Sequence, residues 1–324
     1  MFSFGQNPKL VLPVGGICLP NGSKPLNKAV RTFVSLGKPA DCLIVVFFPH
    51  IQPHPALRPY VRHYLLLHVQ LSNTPSAQRI KPIPPDADQS LFFYPRSTAQ
   101  TVVNRNGETR PNPSSIFVGQ QTSRINILHG EDHLIIQVCF RPGFLYQLLG
   151  GMPATEFQGK EIDAECLMDA GMTELNNRLR EETDYRRMID LIEAYLLKRI
   201  DSSARSLQLE PIDRAILAIK ETNQLLSLDW IADQACLSSR QLERKFQERL
   251  GMGPKFYARI ARFDRAFKLK ASNPQLDWLD VAYACGYFDY SHLMRDFRQF
   301  AEVSPTMLIA QDNASPGTGN RFHG

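Results

Sequence analysis

The stretch from Leu228 to Pro305 is very nearly written twice, and an internal repeat limits what a chain can fold into more than composition does. Ile231, Ala232, Leu242, Arg244 and Phe246 recur as Val281, Ala282, Leu293, Arg295 and Phe297. The offset is 50 residues for the first two positions and 51 for the other three. Each copy reads as a helix-turn-helix. The second carries one more residue in its turn, while both helices keep their register.

The helical periodicity sorts each copy into an inner and an outer face. In the first, Leu228 and Asp229 open a helix that turns Ile231, Ala232 and Ala235 inward. Ser238 or Ser239 suits the cap of the second helix, because a hydroxyl can accept from the amides left unpaired at a helix start. Leu242, Phe246 and Leu250 form its buried stripe, and Gly251 ends it with a residue that tolerates the left-handed conformation. Arg240, Gln241, Glu243, Arg244 and Gln247 are left for the outer surface. In the second copy Trp278, Val281, Ala282 and Cys285 face inward, Gly286-Tyr287-Phe288 make the turn and Asp289 is the cap. Leu293, Phe297 and Phe300 are the stripe, leaving Ser291, His292, Met294, Arg295 and Arg298 outside or at the edges. Between the copies, Pro254 starts a long helix with Phe256, Ile260, Phe263, Ala266, Phe267 and Leu269, which should brace the two units.

These residues resemble the DNA-binding domain of the AraC/XylS family of bacterial transcription regulators. The resemblance rests on Ile231 to Ala235, Leu242 to Phe246, Gly251 to Pro254, Arg259 to Phe263, Val281-Ala282, Cys285 to Tyr287, Ser291 to Phe297 and Ser304-Pro305. It covers about residues 211 to 310. It implies two recognition helices entering successive major grooves of double-stranded DNA. By position, the base-reading residues it implies are Arg240, Glu243 and Arg244 in the first unit, with Ser291, His292, Met294 and Arg295 in the other. The phosphate contacts it implies, which position a protein without reading sequence, are Ser239, Lys245, Arg249 and Arg298. Two departures stand out: Glu302 replaces the glycine usual three residues before the last proline, and Met307-Leu308 replace the Tyr-Arg that often follows it.

The net charge of +5 does not by itself name a polyanionic partner, but its distribution does more. Ten cations lie between Arg240 and Lys270, against Glu243, Glu248 and Asp264 only. The first unit sits in this basic run and the second beside Asp289 and Asp296, so the first is expected to carry more of the affinity at an asymmetric site.

The fold class expected is α+β: a β-rich, cupin-like N-terminal domain followed by helices, then an all-α C-terminal domain. Short apolar runs at Tyr60 to Val69, Leu91 to Tyr94, Ile116 to Val118, Ile125 to Leu128 and Leu134 to Phe140 alternate with turn-forming clusters at Lys81 to Asp86 and Asn104 to Pro113. The cupin-like resemblance rests on Pro55, Leu57, Tyr60 and Val61, on Val118-Gly119-Gln120, on Phe140-Arg141-Pro142-Gly143 and on Leu148-Leu149-Gly150. The boundaries expected are an extension at 1–46, a sensor domain at 47–164, a helical segment at 165–200, a linker at 201–210, the DNA-binding domain at 211–310 and a flexible tail at 311–324. The amphipathic run from Tyr185 to Leu196 is read either as a dimer helix or as core, with a slight preference for the dimer.

The implied partners are DNA and an unidentified small-molecule effector, with RNA polymerase and a second copy of the chain left open. No cofactor or metal is expected. The competing readings are a cupin-type metal enzyme or ligand-binding protein with an accessory DNA-binding domain, for which His129 and His133 are the only nearby cluster, and a sequence-indifferent architectural binder. Six cysteines without a C-x-x-C pair indicate neither zinc nor a disulfide framework. The longest apolar run, Leu43 to Phe48, is far too short for the roughly 20 residues of a membrane span, so a cytoplasmic, non-membrane protein is expected.

Overall fold

Alternation of apolar and polar residues drives much of the N-terminal half into strands. The computed structural model describes residues 31–36, 42–71, 79–96, 100–102, 109–156, 161–201, 210–222 and 227–314. Eleven strands occur among them: β1 (Arg31–Leu36), β2 (Cys42–Ile51), β3 (Val61–Leu71), β4 (Ile80–Ile83), β5 (Ser90–Phe93), β6 (Gln100–Val102), β7 (Thr109–Pro111), β8 (Ser115–Val118), β9 (Ile125–Leu128), β10 (Asp132–Phe140) and β11 (Glu161–Asp163). They form an antiparallel seven-stranded sheet in the order β1-β2-β3-β10-β5-β8-β11 and an antiparallel four-stranded sheet in the order β4-β9-β6-β7.

The middle of the large sheet, at β10 and β5, is buried on both faces. Leu134, Ile136 and Val138 of β10, with Leu91 and Phe93 of β5, point into the main core, whereas Ile135 and Phe92 point the other way, toward Ile83, Ile125 and Ile127 of the small sheet. Four helices close the first face: α1 (Phe144–Leu148), α2 (Ala164–Leu167), α3 (Ala170–Glu181) and α4 (Tyr185–Asp201). Met188, Ile189, Ile192 and Leu196 of α4 are at most 1% exposed and pack into that same core. The stripe considered for dimerisation is therefore spent inside its own domain.

The five runs read as strands are strands. The structure corrects the edges of that reading. The described part of the expected extension pairs as β1 and the start of β2, which form one side of the large sheet, with Arg31 opposite Phe47 and Ile44 opposite Gln70. Lys81 and Pro82, placed in a turn cluster, belong to β4, and Thr109 to Pro111 form β7. Of the expected linker, residues 202–209 lie outside the described residues, as does 315–324 of the expected tail.

The C-terminal domain is all helical: α5 (Pro211–Glu221), α6 (Leu228–Gln234), α7 (Ser239–Leu250), α8 (Pro254–Ser272), α9 (Trp278–Ala284), α10 (Tyr290–Ala301) and α11 (Pro305–Ala314). Pro211 and Pro254 each occupy a first helical turn, where a missing amide hydrogen costs nothing. The last helix takes in the start of the expected tail: Asp312 is buried with Oδ1 3.7 Å from Lys81 Nζ, and Gln311 Oε1 accepts from Arg124 at 2.8 Å. No described helix is long and apolar enough to cross a membrane.

Candidate nucleic-acid interface

The two halves of the repeat fold alike. The α6–α7 pair and the α9–α10 pair each join a seven-residue helix to a twelve-residue one. Ser238 caps α7 by accepting from Gln241 N at 3.3 Å, and the Gln241 side chain in turn accepts from Ser238 N at 2.9 Å. Asp289 caps α10 by accepting from His292 N at 2.6 Å. Leu242, Phe246, Leu250, Leu293, Phe297 and Phe300 are at most 2% exposed.

Helix α8 braces the two units through aromatic contacts. Phe263 meets Phe297 and Phe300 with ring centroids 4.7 and 5.4 Å apart, and Tyr257 meets Phe246 at 6.2 Å. A further tie is ionic. Asp296 on α10 is fully buried and accepts from Arg259 at 2.6 and 3.1 Å and from Arg262 at 3.3 Å, both on α8. Arg262 also stacks on Tyr287, 4.3 Å from the ring centroid. Such a charge-assisted network fixes the angle of α10 against its brace.

Most of the expected base-reading residues lie on the outer faces. Arg240, Glu243, Arg244, Ser291 and Arg295 are exposed, and His292 and Met294 half-buried. Arg244 keeps only a loose approach to Glu248, 3.8 Å away, and Arg295 Nε bonds the Ser291 carbonyl of its own helix at 3.4 Å. Ser238, Arg240, Gln241 and Arg244 line one shallow groove at the start of α7. Glu243 is exposed at the α7–α8 corner, where a Cβ on Gly253 would stand 2.7 Å from its Oε2. His292 lies at the edge, its Nε2 3.2 Å from Arg262 Nη2; burial and that guanidinium push its pKa down.

Among the expected phosphate contacts, Ser239 and Arg298 are exposed, while Lys245 is half-buried with Nζ 3.2 Å from Glu248. Arg249 does not belong with them. It is 0% exposed, its guanidinium lies 2.6 Å from Glu210 and 3.1 Å from Asp213, and it stacks 3.9 Å above the Tyr146 ring of α1. A guanidinium so enclosed is a structural tie, because exposing it to DNA would leave the buried Asp213 unpaired.

The reason for expecting the first unit to dominate weakens in the same way. Asp296 is buried and paired with two guanidinium groups, so of the two acids only the half-buried cap Asp289 is left near the second face. In the basic run, Arg249, Arg259, Arg262 and Lys268 each lie against an acid. Helix α8, read as a brace and as part of the basic run, brings four of those cations together: its Lys255, Arg259, Arg262 and Arg265 line a cavity of about 420 Å³ between the units, together with His292.

The N-terminal domain grips this assembly. Ala87 packs into the C-terminal core, and Tyr257 donates to its carbonyl at 3.1 Å. Gln89 Nε2 donates to Arg249 O, at the end of α7, at 2.9 Å. Arg124 N donates to Phe300 O, at the end of α10, at 2.9 Å. Each recognition helix is thus held at its C-terminal end by a residue of the other domain. Gly143 begins α1 at φ 84°, and a Cβ there would overlap the Asp213 carboxylate. It is a turn, and one pressed against the junction.

Asp88, buried at that junction, meets Lys220 and lies 3.3 Å from Arg62; these cations and Lys268 outweigh burial and keep its carboxyl well below the usual range. Burial and the Asp88 charge push neighbouring Asp86 up to about 7. An acid whose pKa is raised by folding holds its proton in the folded state across a window from about 4 to 7, so stability falls as pH rises through it. Relative to Asp86→Asn, the native protein should therefore lose urea midpoint from pH 5 to pH 7.5, while His63, whose pKa burial pushes down, acts in the opposite sense in both proteins. An equal change in both proteins would remove Asp86 as the source of that loss.

His129 and His133, the cluster behind the enzyme reading, are buried with ring centroids 4.3 Å apart. Among the described residues, no group of three or more His, Cys, Asp or Glu side chains is arranged to hold a metal ion.

Two family models match the chain. One, described as a helix-turn-helix domain, covers residues 231–311, and the other, described as a domain of unknown function, covers residues 49–163. Among curated proteins, the HTH-type transcriptional activator RhaS of Escherichia coli strain HS is 26% identical over 151 residues, 46% of this chain and 52% of the relative. The chain thus spans about half the length of the curated relatives it matches. Among solved structures, a Chromobacterium violaceum transcriptional regulator described by its AraC-type DNA-binding domain is 27% identical over 31% of this chain and 90% of its own, with a TM-score of 0.29. An apo variant of ToxT from Vibrio cholerae is 12% identical over 76% of this chain and 97% of its own, with a TM-score of 0.44.

Proposed function

We propose that this chain, whose residues 231–311 are a helix-turn-helix domain of the AraC type, is a sequence-specific DNA-binding transcription regulator controlled by a signal at its N-terminal domain. The observation that carries the reading is the doubled unit itself: two like-folded helix-turn-helix pairs, locked to one brace, each with the N-terminal part of its second helix exposed and polar. Helices α7 and α10 would enter successive major grooves of one duplex. Arg240, Glu243, Arg244, Ser291, His292, Met294 and Arg295 would face base edges. Ser239 and Arg298, joined by Lys255 of α8, would meet phosphates. The proposal places the protein in the cytoplasm and includes RNA polymerase, a small-molecule effector and a second copy of the chain as partners; a dimer would have to form without the buried stripe of α4.

The test is to select bound genomic fragments at about 0.15 M salt, where weak nonspecific affinity is already suppressed. A defined motif is the expected outcome, and enrichment without one would favour an architectural binder. On the selected site, Arg244→Ala should lose about 1 to 3 kcal/mol of discrimination at one or two base pairs, the size of one bidentate contact to guanine. Arg298→Ala should instead weaken every sequence alike and flatten the salt slope by about one. Uniform loss from Arg244→Ala would remove it from the base-reading set.

A further inference from the structure

The one-residue step in the repeat offset can be assigned to a single side chain. In each unit the turn after the first helix closes with the same hydrogen bond: Leu237 N donates to Ala232 O at 2.9 Å, and Tyr287 N donates to Ala282 O at 2.9 Å. The residues before these donors, Cys236 and Gly286, both adopt the left-handed conformation, at φ 51° and 75°. Leu237 therefore corresponds to Tyr287. The caps that follow are Ser238 and Asp289. Only Phe288 is left over.

That inserted side chain has no place in the core. Its ring is 83% exposed, more than any other large apolar residue among those described. A hydrophobic residue just before a helix cap ordinarily packs against the fourth residue of the helix. In the first unit Leu237 does pack against the core, and Leu242 beneath it is buried. In the second unit Leu293 is fully buried without Phe288, in the same core that takes Tyr287. Phe288 is thus an aromatic ring held out just before α10, three residues ahead of the exposed Ser291 and about two helical turns ahead of Arg295. The neighbouring Asp289 carboxylate is turned onto the start of α10, where Oδ1 accepts from His292 N at 2.6 Å.

The N-terminal end of a recognition helix is the part that meets base edges, and the one apolar feature a base pair shows in the major groove is the 5-methyl group of thymine. We propose that Phe288 is a specificity-determining residue that packs its ring on a thymine methyl at the edge of the site read by α10. The inference rests on the DNA-reading function proposed above and adds a contact of different chemistry to it.

The test uses the full chain and a selected operator in which the thymines of the α10 half are replaced by deoxyuridine, removing only the methyl. Native protein should bind the uracil site about three- to tenfold more weakly for one buried methyl. Phe288→Ala should lose a similar factor on the thymine site and should not distinguish thymine from uracil, whereas Phe288→Leu should keep part of the preference. The exposed position makes unfolding of these variants a minor concern, and a circular-dichroism spectrum checks it. If Phe288→Ala binds the thymine site as tightly as native protein, or loses affinity equally on both duplexes, the inference is overturned; in the first case the ring serves a protein partner, in the second the sugar-phosphate backbone. Arg244→Ala on the same sites keeps the two ideas separate: loss of discrimination there with no effect at Phe288 sinks this contact alone. Failure to enrich any motif sinks both.

Discussion

Arg249→Met should lower the unfolding free energy by about 3 to 5 kcal/mol, because it takes one partner from a buried ion cluster and strands the other. The stranded group is Asp213, 0% exposed, with Arg249 Nε 3.1 Å from its Oδ1. Burial already pushes the Asp213 carboxyl up to about 6 even with the guanidinium present. A double variant with Asp213→Asn should recover much of the loss, since replacing both partners leaves no buried charge uncompensated. Urea unfolding of the single and double variants measures both quantities. A phosphate contact predicts the opposite pattern: unchanged stability, weaker DNA binding and a shallower salt dependence. A loss of stability under about 1 kcal/mol from the single variant would restore Arg249 to the phosphate set.

Asp296→Ala is the other large effect, again about 3 to 5 kcal/mol, because it deprives two guanidinium groups at once. Arg262 is 7% exposed and has little water to turn to, whereas Arg259, about a third exposed, can rehydrate. The cost should therefore come mainly from Arg262, and the further variant Arg262→Met in the Asp296→Ala background should restore part of it. The functional consequence is separable. His292 and Tyr287 both lean on Arg262, so α10 should lose its fixed angle while α7 keeps its own. Protection of the α10 half-site from chemical cleavage should fade before that of the α7 half. Simultaneous loss of both halves would mean that Asp296 supports the whole domain and not one helix.

The C-terminal domain was legible because its signals are local. Caps, first-turn prolines and stripes spaced by one helical turn are written within a few residues of the structure they specify, as Ser238, Pro254 and the Leu242-Phe246-Leu250 series show. Arg249 misled because its neighbours along the helix say nothing of Glu210, Asp213 or Tyr146, which reach it only through the tertiary fold. The same limit hid β1 and β2, whose pairing with each other and with β3 is a long-range choice, and β4, whose Pro82 resembles turn punctuation. In β4 the proline falls in a strand that has β9 as its partner within the sheet, an edge position where a missing donor is tolerated. The outer faces of α7 and α10 were readable by subtraction. That one of their cations would face inward was not.

The grip of Gln89 on the end of α7 and of Arg124 on the end of α10 has a thermodynamic corollary. On the proposed reading, if the operator too binds differently when these two ends are held and when they are released, any ligand of the N-terminal domain that discriminates between the same two states changes operator affinity by some factor. The operator must then change affinity for that ligand by the same factor, since the two equilibria share one cycle. On that reading the duplex would itself act as an effector of the N-terminal domain, and titrating the protein with its selected site offers a way to find a signal: candidate compounds whose binding strengthens or weakens as the site fills.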